Sequence, residues 1–278
     1  MTPDRVVFSG AGGGLLDRDT GSYEPARPAI AALARLGVPL VLCSSRPRRE
    51  IMLLWRLLGL GAPVIGENGA ALIVPDGHLR CGVPGGLWDG EFHLLRLGPP
   101  REALRAALVE VAAAARVEVR VPPAPEREHT EPFLVETEDD AAALAREAAA
   151  RGLRVLRGER RWHLCGGADK GLAVRTLLSL YEREGRLPTA IALGAWQVDL
   201  PMLRAVHRPV VLPGPGGGVE QLLAAELKHA ERARRGGPEG WNDAVLAVLS
   251  GRHLPTVSSE ARPGDDYPLV FERSRRTA

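Results

Sequence analysis

Short apolar runs alternate with amphipathic stretches along the first third of the chain. Val6 to Ser9 is a compact β-branched and aromatic run that ends in Gly10-Ala11-Gly12-Gly13-Gly14, the pattern of a buried strand entering a loop. Ala29, Ile30, Leu33 and Leu36 share one helical face within 26–36, and Gly37 closes it. Val38 to Cys43 predicts a second strand. Pro47 to Leu58 predicts a second helix, beginning just after Ser44-Ser45-Arg46. Pro63 to Ile65 predicts a third strand, followed by Glu67-Asn68-Gly69. Strands and helices in this order predict a parallel sheet with right-handed crossovers.

The middle of the chain has a different rhythm. Phe92 to Leu97, Val117 to Val121, Phe133 to Glu136, Leu153 to Leu156 and Arg161 to Leu164 read as strands. Helices fit at 101–115 and 138–151, the second with a capping box of Thr137 and Asp140 and a stop at Gly152. Pro122-Pro123-Ala124-Pro125 is a stiff turn between the halves. The order β-α-β-β-α-β predicts a split βαβ unit inserted as a small domain. Beyond Gly166-Gly167 the α/β pattern resumes. It comprises a helix at 169–184 with Asp169 as its cap, a strand at 189–193, and a short helix capped by Asp199 with Pro201 in its first turn. A strand at 210–212 and helices at 219–228 and 238–249 follow. The expected organisation is a doubly wound α/β core, 1–84 with 165–250, a cap over 85–164, and a polar tail over 251–278 that frays.

Composition narrows the class. With 278 residues, 45% hydrophobic and 25% charged, the chain is long enough for a core and a smaller second domain. No apolar run approaches the roughly 18 residues that a membrane span needs. The first fourteen residues lack a signal-peptide pattern, and three scattered cysteines (Cys43, Cys81, Cys165) suit a reducing compartment. The expectation is a cytoplasmic protein. A net charge of +2 does not demand nucleic acid. Lys170 and Lys228 are the only lysines, every other basic residue being arginine. A lysine in the first turn of a helix opposes the macrodipole, and Lys170 therefore makes sense with an anion opposite it.

In an open α/β sheet ligands bind beyond the carboxyl ends of the strands, here the loops 10–14, 44–46, 167–171 and 194–199. The start of a dinucleotide fingerprint at Gly10-x-Gly12 fails, because its third glycine position is Leu15 and no helix opens there. Four further stretches accompany the glycine loop VVFSGAGGGLLD: LVLCSSRPRREI, VIGENGAAL, WHLCGGADKGLAV and ALGAWQVDLPMLRAV, with GPEGW near the end. Together they resemble the haloacid dehalogenase superfamily with an α/β cap inserted after the third strand, and within it the mannosyl-3-phosphoglycerate phosphatase family.

That resemblance implies an aspartate nucleophile, a second aspartate two residues later as acid and base, and Mg²⁺ held partly by an aspartate of a later loop. It also implies a hydroxyl and a lysine on the phosphate. The family reads F-T-D-x-D-G-T-L-L-D where this chain has Phe8 to Asp17, so Gly10 occupies the nucleophile position, Gly12 that of the acid and base, and Gly14 that of a threonine. In the later loop, G-D-x-x-N-D in the family, Ala195 and Val198 replace the metal-binding aspartate and the asparagine, and only Asp199 is retained. Ser44 and Lys170 match the phosphate-binding positions, and Glu67-Asn68-Gly69 matches as well.

The residues leave several roles open. Ser44 is either a phosphate ligand or the cap of a helix, and Asn68 either a ligand group or a turn residue. Arg46, with Arg48 and Arg49, makes a basic turn near the same mouth, although a solvated face accounts for two of the three. Asp199 reads as a helix cap or as a polar group left in the pocket, Asp17 as a turn carboxylate, and Trp196 as packing or a plug. The leading expectation is a pseudophosphatase without catalytic residues, metal or other cofactor. It would hold a phosphorylated or carboxylated small molecule through Ser44, Lys170, Arg46 and Asn68, or bind a protein partner. The alternatives are a Mg²⁺-dependent sugar-phosphate phosphatase with an atypical site and a structural subunit of a biosynthetic complex. Removing carboxylates opposite Lys170 predicts a mouth more positive than in the family, and Gly10 or Gly12 is expected to adopt positive φ.

Overall fold

The computed structural model describes residues 4–124, 126–157, 161–214 and 216–257. Its centre is a nine-stranded sheet in the order β12-β11-β10-β1-β2-β3-β4-β6-β5. The parallel part is formed by β1 (Arg5–Gly10), β2 (Leu40–Cys43), β3 (Val64–Gly66), β10 (Thr189–Gly194), β11 (Arg208–Val211) and β12 (Glu231–Arg232). Side chains alternate along β1: Val7 faces one layer, and Val6 and Phe8 face the other. The first layer packs α1 (Arg27–Arg35), α2 (Arg48–Leu57) and α8 (Gly237–Leu249) on the sheet through Leu33, Ile51 and Trp241. The second packs α5 (Lys170–Arg183), α6 (Leu200–Arg204) and α7 (Gln221–Glu226) through Leu177, Met202 and Leu223. Both faces of the parallel strands are thereby covered, which is why they read as continuous apolar runs.

The cap is a smaller layer with its own core. Helices α3 (Arg101–Ala115) and α4 (Glu138–Ala149) cover one face of a three-stranded antiparallel sheet, ordered β7 (Thr130–Phe133), β9 (Trp162–Cys165), β8 (Arg154–Arg157). Leu104, Leu108, Phe133, Leu144 and Leu164 fill the space between. Helix α4 starts with the capping box expected from Thr137 and Asp140.

Three features differ from the expectation. The run Phe92 to Leu97 does not begin the cap. As β6 (Phe92–Arg96) it pairs antiparallel with β4 (Ala71–Pro75) and with β5 (Leu87–Trp88), extending the core sheet. The boundary expected at residue 85 therefore moves to the start of α3. Val117 to Val121 forms no strand; only Arg120 bridges to Leu134. The cap sheet thus has three strands rather than the four of a split βαβ unit. The third concerns the tail, which does not fray at once. Thr256 bridges to Glu231 on the edge strand, and Val257 is buried. Pro125 of the proline turn and residues 258–278 of the expected tail lie outside the described residues.

Candidate functional site

The carboxyl ends of β1, β2, β3 and β10 open on the same edge of the sheet, so their loops meet there. Helix α5 begins beside them. Asp169 caps it by accepting from the Leu172 amide at 2.7 Å, as expected. Gly171 lets α5 approach α6 closely, because a Cβ there would stand 2.3 Å from the Pro201 carbonyl oxygen. That approach brings Lys170 to Asp199. The ammonium donates to Asp199 Oδ1 at 2.6 Å, and both side chains are almost fully buried, 4% and 2% exposed.

Asp199 is committed on every side. Its Oδ2 accepts from the amides of Ala195 (3.0 Å) and Trp196 (3.1 Å), while Oδ1 holds Lys170. It does not cap α6 through its side chain. Its carboxylate instead fills the space beside Gly10: a Cβ there would lie 3.2 Å from both oxygens. The mouth is therefore not the strongly positive one expected from Lys170 opposite glycine, because the lysine's charge is matched within the fold. Thermodynamically such a pair persists through its geometry, since each ion has lost its water.

The glycine loop is shaped around Trp196. Its indole Nε1 donates to the Gly12 carbonyl at 3.2 Å, and Arg18 stacks on the ring at 5.3 Å. Gly13 is the loop residue with positive φ, 74°, and a Cβ there would fall 2.5 Å from the indole nitrogen. Gly10 and Gly12 lie outside the left-handed region, contrary to expectation. Trp196 both packs against the core cluster and plugs the space beside the loop. Asp17 is a turn carboxylate, accepting from Thr20 and from the Asp19 amide, and these hydrogen bonds hold its pKa below the usual range.

The other expected residues sit as follows. Ser44 is buried, and its Oγ accepts from the Arg46 amide at 3.1 Å; it closes a turn before α2, whose own cap position is Pro47. Arg46 is half-buried, Arg48 pairs with Asp89, and Arg49 reaches Glu126 at 3.2 Å. Asn68 has left-handed angles (φ 59°, ψ 28°), the turn role, yet its buried Oδ1 has no partner, so a ligand role stays open. Its neighbour Glu67, also at positive φ (45°), accepts from the amides of Glu128 (2.7 Å) and His129 (3.1 Å) and from Thr130 Oγ1 (2.6 Å), tying the cap to the core.

Neither Ser9 nor Cys43 is poised to replace the missing nucleophile. Ser9 is buried, donates to the Gly10 carbonyl and accepts from Trp241 Nε1. Burial pushes the Cys43 thiol up to about 12, so it carries no thiolate near neutrality. The donor set also does not fit Mg²⁺. Glycine and alanine supply no side-chain oxygen at 10, 12 and 195, Asp199 is occupied, and the Gly12 carbonyl accepts from Trp196. No group of three or more His, Cys, Asp or Glu among the described residues could hold a metal. Millimolar Mg²⁺ is accordingly expected to leave the thermal midpoint unchanged, because a ligand that binds only the folded state would raise it. A reproducible rise of several degrees would show a metal site here.

Residues 7–79 match the family model for haloacid dehalogenase-like hydrolases. Over 266 residues the chain is 32% identical to a glucosyl-3-phosphoglycerate/mannosyl-3-phosphoglycerate phosphatase of Methanococcoides burtonii, covering 88% of this chain and 97% of that one. This chain belongs to the haloacid dehalogenase superfamily. A phosphatase of the same name from Persephonella marina is 29% identical, over 88% of this chain and 97% of its own. A solved structure from Thermoplasma acidophilum superposes with a TM-score of 0.70 at 21% identity, over 89% of this chain and 99% of the other. That last likeness shows the fold: a haloacid dehalogenase-like α/β core with a cap. Among the described residues of this superfamily member, no helix is long and apolar enough to cross a membrane.

Proposed function

We propose that this member of the superfamily holds a phosphorylated or carboxylated small molecule without hydrolysing it. One observation carries the reading: positions 10, 12 and 195 have no group that can attack phosphorus, move a proton or bind metal, and the remaining acid, Asp199, is neutralised by Lys170. Loss of a nucleophile alone costs roughly 10⁴ to 10⁶ in rate in other covalent enzymes, and here three functions are missing together. Ser44, Asn68 and Arg46 border the mouth where such a ligand would rest. A cytoplasmic location belongs to the same reading, supported by three free cysteines, two of them buried.

A second reading is a sugar-phosphate phosphatase with an atypical site. The relatives favour it more than they favour a non-hydrolytic protein, since both are named as phosphatases. Phosphate release from a hexosyl-phosphoglycerate or an activated aryl phosphate with Mg²⁺ decides between the two. The expected result is no release above a Lys170→Met control; turnover above that control establishes the phosphatase and calls for a new nucleophile. If the chain neither hydrolyses nor binds such compounds, a partner recovered by co-purification from the native host would support a subunit role.

Restoring the carboxylates tests the same point from the other side. Gly12→Asp meets open space and is expected to change stability by no more than about 0.5 kcal/mol. Gly10→Asp brings a second carboxylate against Asp199 and is expected to destabilise. No single replacement is expected to give measurable hydrolysis, because these groups act as a unit. Turnover by Gly10→Asp alone would contradict this.

A further inference from the structure

The amino edge of the core sheet, opposite the loops of the candidate site, carries an apolar groove. It lies between α1, the end of α2 and the turns that lead into β2 and β3. Leu33, Leu40, Leu58, Leu60 and Ala62 line it, Ala34 stands at its exposed rim, and its volume is about 250 Å³. Its one polar side chain among the described residues, His78, is already bonded to the Tyr181 hydroxyl at 2.9 Å. Small-molecule pockets are usually larger and place several polar groups to orient the ligand, so this groove suits apolar side chains instead. Leu36, in the turn that borders it, is 52% exposed. Leu187, 78% exposed, sits on the same edge of the sheet in the turn before β10.

The chain itself heads toward this edge. Thr256 pairs antiparallel with Glu231 of β12, and the Val257 amide donates to the Ala230 carbonyl at 2.9 Å. Strand β12 is parallel to β11, so residues 255–257 run back toward the amino edge. From β12 to β2 is a distance of four strand spacings, about 19 Å. Residues 258–278 follow, and in them Tyr267-Pro268-Leu269-Val270-Phe271 is an apolar run among charged and small residues. The roughly ten residues between Val257 and this run span up to about 33 Å when extended, enough to reach the groove. Charge agrees with the placement. Arg35, next to Ala34, is exposed and has no ion pair among the described residues, and Glu272 directly follows Phe271.

We propose that Leu269, Val270 and Phe271 dock in this groove of their own chain, making the C-terminal segment a latch across the amino edge. Meeting there removes apolar surface of both partners from water. The latch braces α1 against the end of α2, the helix whose other end follows the Ser44-Ser45-Arg46 turn. It holds whether or not the candidate site takes an anion.

Limited chymotrypsin digestion and amide hydrogen exchange of the full chain test it. Cleavage after Phe271 is expected to be about tenfold to a hundredfold faster in Ala34→Arg than in the parent, the weight of one buried Leu or Phe side chain. Ala34 is exposed on α1 and arginine is a good helix former, so this variant fills the groove and keeps the helix. Leu269→Ser with Phe271→Ser is expected to quicken exchange over 58–62 by a similar factor and to leave β1 unchanged. Neither effect is expected to depend on protein concentration. Equal cleavage of the parent and Ala34→Arg, or exchange over 58–62 unaltered by the tail variant, would overturn the latch. Protection that grows with protein concentration would seat the segment in a second copy and overturn docking within one chain.

Discussion

Asp199→Ala is expected to destabilise the fold by about 3–5 kcal/mol, the cost of leaving a buried cation without its partner. In a domain of this size that corresponds to a fall in thermal midpoint of roughly 6–20 °C. The reason is local. Lys170 is inside the protein, its ammonium is 2.6 Å from Asp199 Oδ1, and no other carboxylate bonds to it among the described residues. The variant also frees the amides of Ala195 and Trp196, adding two donors without an acceptor. Lys170→Met, which removes the charge and keeps the stem, is expected to cost less than Asp199→Ala. The double variant Lys170→Met with Asp199→Ala is expected to be less destabilised than the sum of the single changes, because it leaves no stranded ion. Urea denaturation of the four proteins measures this coupling. A loss under about 1 kcal/mol for Asp199→Ala would show that water reaches the pair and that Lys170 is free to meet a ligand.

The same pair explains how a site built for anions can lose its carboxylates and stay folded. A lysine facing Gly10 and Gly12 alone would be a buried charge without a counterion. Asp199 supplies the counterion, and Trp196 fills volume beside the loop, with Gly13 giving it room. Electrostatics and packing are both closed inside the protein, so the mouth keeps its shape without metal.

The sequence carried the parallel half of the sheet clearly. Its strands are buried on both faces, and runs such as Val6 to Phe8 and Leu40 to Cys43 contrast sharply with the loops that follow. The antiparallel extension was not legible in the same way. Phe92 to Arg96 alternates like a strand of either domain, and only its pairing with Ala71–Pro75 assigns it to the core. Ala71–Pro75 and Leu87–Trp88 gave no distinct signal beside the Glu-Asn-Gly turn and the glycine-rich segment that precedes β5. In the site, the missing carboxylates at 10, 12 and 195 follow from residue identity. The union of Lys170 with Asp199, 29 positions apart, does not: helix spacing permits it, but the close packing of Gly171 on Pro201 makes it.

Glu67→Ala is expected to cost about 3–4 kcal/mol and to loosen the cap. The side chain is buried at the end of β3, and its two oxygens receive the Glu128 amide, the His129 amide and the Thr130 hydroxyl. Each buried donor left without an acceptor costs about 1–3 kcal/mol, and alanine leaves all three. Alanine also inherits the left-handed backbone at this position (φ 45°), so the substitution relieves no strain. Glu67→Gln keeps one oxygen but turns an NH₂ group toward the other donors, and is expected to fall between parent and alanine. The affected segment is specific. Residues 128–130 lead from the turn into β7, the strand that pairs with β9 in the cap sheet. Amide hydrogen exchange should therefore quicken over 126–134 while β1 and β10 keep their protection. Uniform acceleration across the core would mean that Glu67 supports the whole fold, and unchanged exchange at 128–130 would mean that other contacts dock the cap. Loss confined to the cap would identify this carboxylate as the tether between the core loops and the cap.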